Sequence, residues 1–168
     1  MTDDAMTPDV REEHRWLARL AGEWTFEGRM IPDEPQYRAT GTETVRMLGE
    51  AWMLAEANGT MASGCETGSL MTIGFDPETG RFNGTFVAST MTSLWLYDGA
   101  LDEGGKSLRL QSEGPRFDGQ PGKALYEDEI EIVSEDERRL NARIRGDDGA
   151  WTLFMTTTYR RNRRGETR

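Results

Sequence analysis

From residue 24 onward apolar and polar side chains alternate. Gly, Asp, Pro and Asn interrupt the alternation at intervals that suit hairpins. The pattern predicts ten strands, over approximately Trp24–Met30, Thr40–Leu48, Trp52–Met61, Leu70–Phe75, Arg81–Ser89, Leu94–Leu101, Ser107–Glu113, Lys123–Val133, Arg138–Arg145 and Trp151–Tyr159. The turns between them, such as Asp76-Pro77-Glu78-Thr79-Gly80 and Gly146-Asp147-Asp148-Gly149, are rich in residues that accept turn geometry. Connections this short favour antiparallel neighbours. So many strands must also close on themselves, or fold into two sheets, to hide their edges. The expectation is a mainly β fold: an antiparallel up-and-down barrel of about ten strands.

Before the alternation the period is helical. Thr7 reads as an N-cap with Pro8 at the first helical position, and Val10, His14, Leu17 and Ala21 fall on one stripe with Leu20 beside it. Gly22 supplies the stop. The predicted layout is one domain over residues 1–168: a helix at about 8–21, a barrel at about 24–160 and a basic tail at 161–168.

The chain has 168 residues, enough to bury roughly 70% of its unfolded surface without staples. No apolar run approaches the roughly 20 residues of a membrane-spanning helix. The N-terminus is acidic and polar, without the pattern of a secretory signal. Cys65 is the only cysteine and can form no internal disulfide, so a cytoplasmic location is expected. The net charge of −10 repels phosphate backbones and anionic membranes, which argues against both as partners. Arg160, Arg161, Arg163, Arg164 and Arg168 form a basic cluster that reads as a solvated tail, with contact to a polyanion as the sharper alternative.

The stretch Glu13-His14-Arg15-Trp16-Leu17-Ala18-Arg19-Leu20-Ala21-Gly22-Glu23-Trp24 resembles the opening of a bacterial family known as domain of unknown function 1579. The likeness continues through Met71-Thr72-Ile73-Gly74-Phe75-Asp76, Trp95-Leu96-Tyr97-Asp98-Gly99 and Thr158-Tyr159-Arg160. That family carries no activity in its name. Its pattern places an Asp before the serine of the fifth strand, where this chain has Ala88-Ser89. Gly22-Glu23-Trp24 also resembles the G-x-W that opens the first strand of lipocalins. The resemblance implies a lipocalin-like (calycin-like) barrel whose Trp24 closes one end against Arg160 or Arg161. Nitrobindin-like barrels share the layout and hold haem through a histidine late in the chain. Here the only histidine is His14, in the opening helix, so histidine-ligated haem is not expected.

Candidate chemistry is sparse. Ala100–Ser107 comes within one residue of a phosphate-binding loop, but it joins two strands where that loop needs a following helix. One His and one Cys cannot build an N/S metal cage, so neither a metal nor a cofactor is expected. His14 lies on the apolar stripe, either as a packing residue or aimed into the barrel as a donor or proton carrier. If the turn around Gly49-Glu50 has two or four residues, Glu43 pairs with Glu56 on the face of Val45, Met47, Trp52 and Leu54. A three-residue turn destroys that pairing. Along β residues 125–132, Glu127, Glu129 and Glu131 share a solvated face, while Asp128 sits with Tyr126, Ile130 and Ile132 and should point inward. An inward carboxylate needs a partner. Trp52, Met71, Phe82, Phe86, Trp95, Tyr97 and Met155 read as core, which in a barrel with a cavity is also the pocket wall.

The leading functional expectation is a small, largely apolar ligand bound inside the barrel, with His14, Glu56, Trp52, Trp95, Tyr97 and Asp128 as candidate ligand-binding residues. The alternatives are an enzyme that moves a proton on such a molecule, and a dimeric interaction protein whose barrel is filled by side chains.

Overall fold

A strand with period-two alternation has one apolar face, and ten of them joined by short turns can bury those faces together by closing into a ring. The computed structural model, which describes residues 6–163, shows this closure. The elements are α1 (Glu12–Ala18), β1 (Gly22–Met30), a 3-10 turn (Pro35–Tyr37), β2 (Ala39–Leu48), β3 (Trp52–Met61), β4 (Glu66–Asp76), β5 (Arg81–Ala88), β6 (Trp95–Leu101), β7 (Ser107–Pro115), β8 (Lys123–Ser134), β9 (Glu137–Arg145) and β10 (Trp151–Arg161). Each strand pairs antiparallel with its neighbours in sequence. β1 closes the ring on β10, with Trp24 opposite Arg161 and Met30 opposite Met155. The ten-stranded, up-and-down barrel is therefore as expected, and all ten predicted strands are present. Among the described residues no helix is long and apolar enough to cross a membrane.

The helix is shorter than its sequence period suggests. Residues 8–11 are irregular, and neither Thr7 nor Pro8 begins the helix. The reason is a competing cap: His14 Nδ1 accepts the Arg11 backbone N–H at 2.8 Å, which sets the N-terminus at Arg11. At the other end the barrel itself caps the helix and its following turn. Trp24 Nε1 donates to the Leu20 carbonyl at 2.9 Å, and Arg161 donates to the carbonyls of Ala21 and Arg19 at 2.6 and 3.0 Å. Arg161 is thus the last residue of β10 and a structural anchor, not the start of a tail, while Arg164 and Arg168 lie outside the described residues. Leu17 and Leu20 are fully buried over the barrel end, each contributing roughly 1.5–3 kcal/mol. Trp16, off the predicted stripe, is buried too, its indole donating to the Gly105 carbonyl of the β6–β7 turn at 2.7 Å.

The β2–β3 turn settles one alternative. Leu48 pairs with Trp52, so the loop is Gly49-Glu50-Ala51, with Gly49 at a left-handed φ of 61°. Glu43 then faces Ala57, and Glu56 faces Thr44. Glu43, Val45 and Met53 are buried on the inner side, while Trp52 and Glu56 lie outside. Trp52 rests on Gly74 of β4, where any Cβ would collide with the indole. The expectation that Trp52 and Glu56 share the inner face with Glu43 is corrected by this register. So is the fully solvated acidic face of β8. Glu127 and Glu129 do point outward, but they are covered by Arg109 and Arg143, which reach Glu127 and Glu129 at 3.2 and 3.1 Å. Burial works to raise the Glu129 pKa, but hydrogen bonds from Asn141, Ser107 and Arg143 outweigh it and hold the carboxyl below its ordinary value.

Inside the helix-side half, Glu43 meets Arg138, and both side chains are buried. The Arg138 guanidinium lies 3.8 Å from the centre of the Tyr159 ring and 4.7 Å from that of Trp24. Arg138→Met should cost about 3–5 kcal/mol in urea denaturation, because it strands the Glu43 charge in the interior. Adding Glu43→Leu should recover most of that loss.

Candidate functional site

Alternation along β6 and β8 builds two adjoining layers across the barrel. On β6, Trp95 and Tyr97 point inward. On β8, Tyr126 and Asp128 do so. The outer of these layers joins Trp95 to Tyr126, their rings perpendicular at 5.1 Å, with Phe154 and Phe117 at 6.1 and 5.9 Å from Tyr126. Tyr126 is oriented by its hydroxyl, which donates to the Pro115 carbonyl at 2.5 Å. Trp95 rests its benzo edge on Gly114, where a side chain would leave no room for the indole. Its Nε1–H is buried without an acceptor among the described residues.

One layer deeper the Tyr97 hydroxyl donates to Asp128 Oδ2 at 2.5 Å. Opposite Asp128 on the neighbouring strands stand Leu110 and Ala142, which offer no polar group. Asp128 Oδ1 accepts no hydrogen bond from the described residues, and the side chain keeps some accessible surface toward the lumen. Burial pushes the Asp128 carboxyl up to about 6, with Glu127 adding to the rise and the Tyr97 hydrogen bond opposing it. Burial and the adjacent carboxylate drive Tyr97 well above its ordinary value. Tyr159 is raised by burial and then by Glu43.

The two halves of the lumen differ in room. Between Leu20, Glu43, Met53, Met71, Arg138 and Tyr159 there is a void of about 10 Å³, space for roughly one water molecule. Side chains therefore fill the helix-side half. Toward the other end, the inward residues Met30, Phe86 and Met155 are only half-buried, as is Asp128. Among the described residues no group of three or more His, Cys, Asp or Glu is arranged to hold a metal ion.

Of the six candidate residues, the structure brings three together: Trp95, Tyr97 and Asp128. Trp52 and Glu56 are on the outer wall. His14 is buried at the closed end, outside the lumen. Its Nδ1 takes the Arg11 N–H, so Nε2 carries the proton and donates to the Phe75 carbonyl at 2.9 Å, leaving neither nitrogen for a ligand. Sequence reasoning missed Arg138. The signal was present, since Arg138, Leu140, Ala142 and Ile144 alternate on the inner face of β9.

A family model described as protein of unknown function (DUF1579) matches residues 9–161. The chain belongs to that family. No curated protein matches it. Among solved structures, Rv2717c from M. tuberculosis is similar in fold at 12% identity, with 92% of this chain and 100% of that one covered and a TM-score of 0.59. The S-type phycobiliprotein lyase CPES from Guillardia theta is similar at 13% identity, over 93% of this chain and 99% of its own, with a TM-score of 0.56. At these identities the likeness concerns the fold.

His14→Ala should lower stability by about 1–3 kcal/mol in thermal or urea unfolding through its two lost hydrogen bonds. For Asp128 the folded pKa lies above the unfolded one, so its contribution to stability is full below about pH 4 and is lost as pH rises through about 6. Asp128→Asn should therefore be more stable than the parent near pH 8, by up to roughly 3 kcal/mol, and should flatten the stability profile between about pH 4 and 7. Denaturation across that range checks it.

Proposed function

We propose that the protein binds a small, largely apolar molecule in the half of the barrel away from α1, with Tyr97 and Asp128 orienting its polar end. One observation carries this reading: a carboxylate held inside an apolar wall with one oxygen engaged and the other open to the lumen. A barrel built only to be filled would either pair both oxygens or place an apolar residue there, since an under-satisfied interior carboxylate costs several kcal/mol. The orphan Trp95 N–H, one layer nearer the mouth, supports the same reading. A buried donor without an acceptor costs about 1–3 kcal/mol, which a ligand oxygen would offset. The half-buried Met30, Met155 and Phe86 supply an adaptable apolar lining. The proton-transfer alternative loses His14, both of whose nitrogens are engaged by backbone, and Glu43 is paired with Arg138, which leaves Asp128 as its candidate carboxylate.

The test is titration with Nile red, a neutral fluorophore, beside mass spectrometry of solvent extracts from gently purified protein. Saturable dye binding that quenches tryptophan emission is expected, weakened about tenfold or more when Ala88→Trp fills the lumen near its open end. Binding indifferent to Ala88→Trp, or neither dye uptake nor a co-purifying molecule, would overturn the proposal.

A further inference from the structure

The charges that face the lumen do not balance. Glu43 and Arg138 form a buried pair that is neutral in sum. Arg161, at the closed end, spends its donors on the carbonyls of Arg19, Ala21 and Glu135 and its face on Trp24, 4.3 Å from that ring centre. Tyr97 and Tyr159 face inward from β6 and β10 as neutral hydroxyls. β7 and β9 present Leu110 and Ala142 to Asp128. Glu127, on the opposite side of β8, adds to the negative field and is itself covered by Arg109 and Arg143. At the mouth, Arg116 and Asp118 are near enough to act on Tyr126, but Arg116 is paired with Asp118 and Asp147, so Asp128 is the one inward charge of that half without an opposite charge beside it among the described residues. Its sole partner, the Tyr97 hydroxyl, gives a hydrogen bond without neutralising it.

What surrounds that carboxylate favours one sign of ligand. The rings of Trp95, Tyr126, Phe86 and Phe154 pack together in the layer next to Asp128, and an aromatic face attracts a cation that lies against it. The chain as a whole carries −10, which steers cations toward it and anions away. An anionic headgroup would have to approach Asp128 with no free lumenal arginine or lysine to receive it.

We propose that the ligand of this lumen is a cation, a protonated amine on an apolar body, whose N–H donates to Asp128 Oδ1 while the body lies against Trp95 and Tyr126. The assignment rests on the binding reading above and narrows it to a substrate class.

Three probes of nearly equal size separate charge from shape: 1-naphthylmethylamine, 1-naphthylmethanol and 1-naphthoate, each measured by calorimetry. Near pH 7.5 the amine should bind about tenfold or more tightly than the alcohol, and the naphthoate most weakly. The amine stays protonated near pH 5, yet its advantage should shrink there, because Asp128 takes up a proton. Asp128→Asn should bring amine and alcohol to similar affinity. Tyr97→Phe keeps the carboxylate and should retain the amine preference, which guards against a variant that merely perturbs the wall. An alcohol that binds as well as the amine, or an amine preference that survives Asp128→Asn, overturns the cation assignment and leaves lumen binding standing. Failure of all three probes on protein that takes up Nile red also overturns the assignment alone. Failure of Nile red as well removes the binding reading beneath it.

Discussion

The structure depends on how the ring is locked where its first and last strands meet. A closed sheet has no edge, but only if β1 and β10 hold their register. That seam is secured by Trp24 with an arginine on each side: Arg161 at 4.3 Å from its ring and Arg138 at 4.7 Å. Each member also does a second job. The Trp24 indole N–H and the Arg161 guanidinium take up the carbonyls that α1 and the turn after it leave open, and Arg138 joins Glu43 across the interior. The helix is short because it is held at both ends by side-chain contacts and not by its own length, since seven residues are too few to persist alone in water.

This arrangement divides the interior. Around the seam a buried ion pair, Tyr159 and the apolar face of α1 take up the volume and leave a void of about 10 Å³. Away from it, the wall is largely aromatic and thioether, and the Asp128 carboxylate, the Tyr97 phenol and the Trp95 indole N–H share it with the hydroxyls of Tyr126, Ser112 and Thr157. The first region has its charges paired. The second has a carboxylate that is destabilising at neutral pH and carries no opposite charge beside it, while among the described residues a buried donor without an acceptor occurs in each region, Arg138 Nε in the first and Trp95 Nε1 in the second.

Much of this was legible beforehand. Strict alternation in β8 placed Asp128 inside with Tyr126 and Ile130, because the side-chain period in a strand is two and a mixed strand such as Tyr126-Glu127-Asp128-Glu129-Ile130 admits one sensible assignment. Tyr97 and Trp95 followed from the same rule on β6. Trp52 and Glu56 did not, because their face depends on whether the turn after Leu48 has two, three or four residues. A change of one residue moves the whole of β3 to the other side. His14 sat correctly on the buried stripe, yet its role was decided by the Phe75 carbonyl, a partner 61 residues away.

The sequence by itself determined the strand count, the antiparallel order and the inward direction of Asp128. All of these follow from local periodicity and the need to hide edges. Only the tertiary structure decided which half of the lumen is filled, that Arg138 neutralises Glu43, and that Asp128 keeps one oxygen free. Those facts depend on where side chains from strands distant in sequence meet across the barrel, and no local pattern encodes the volume left between them.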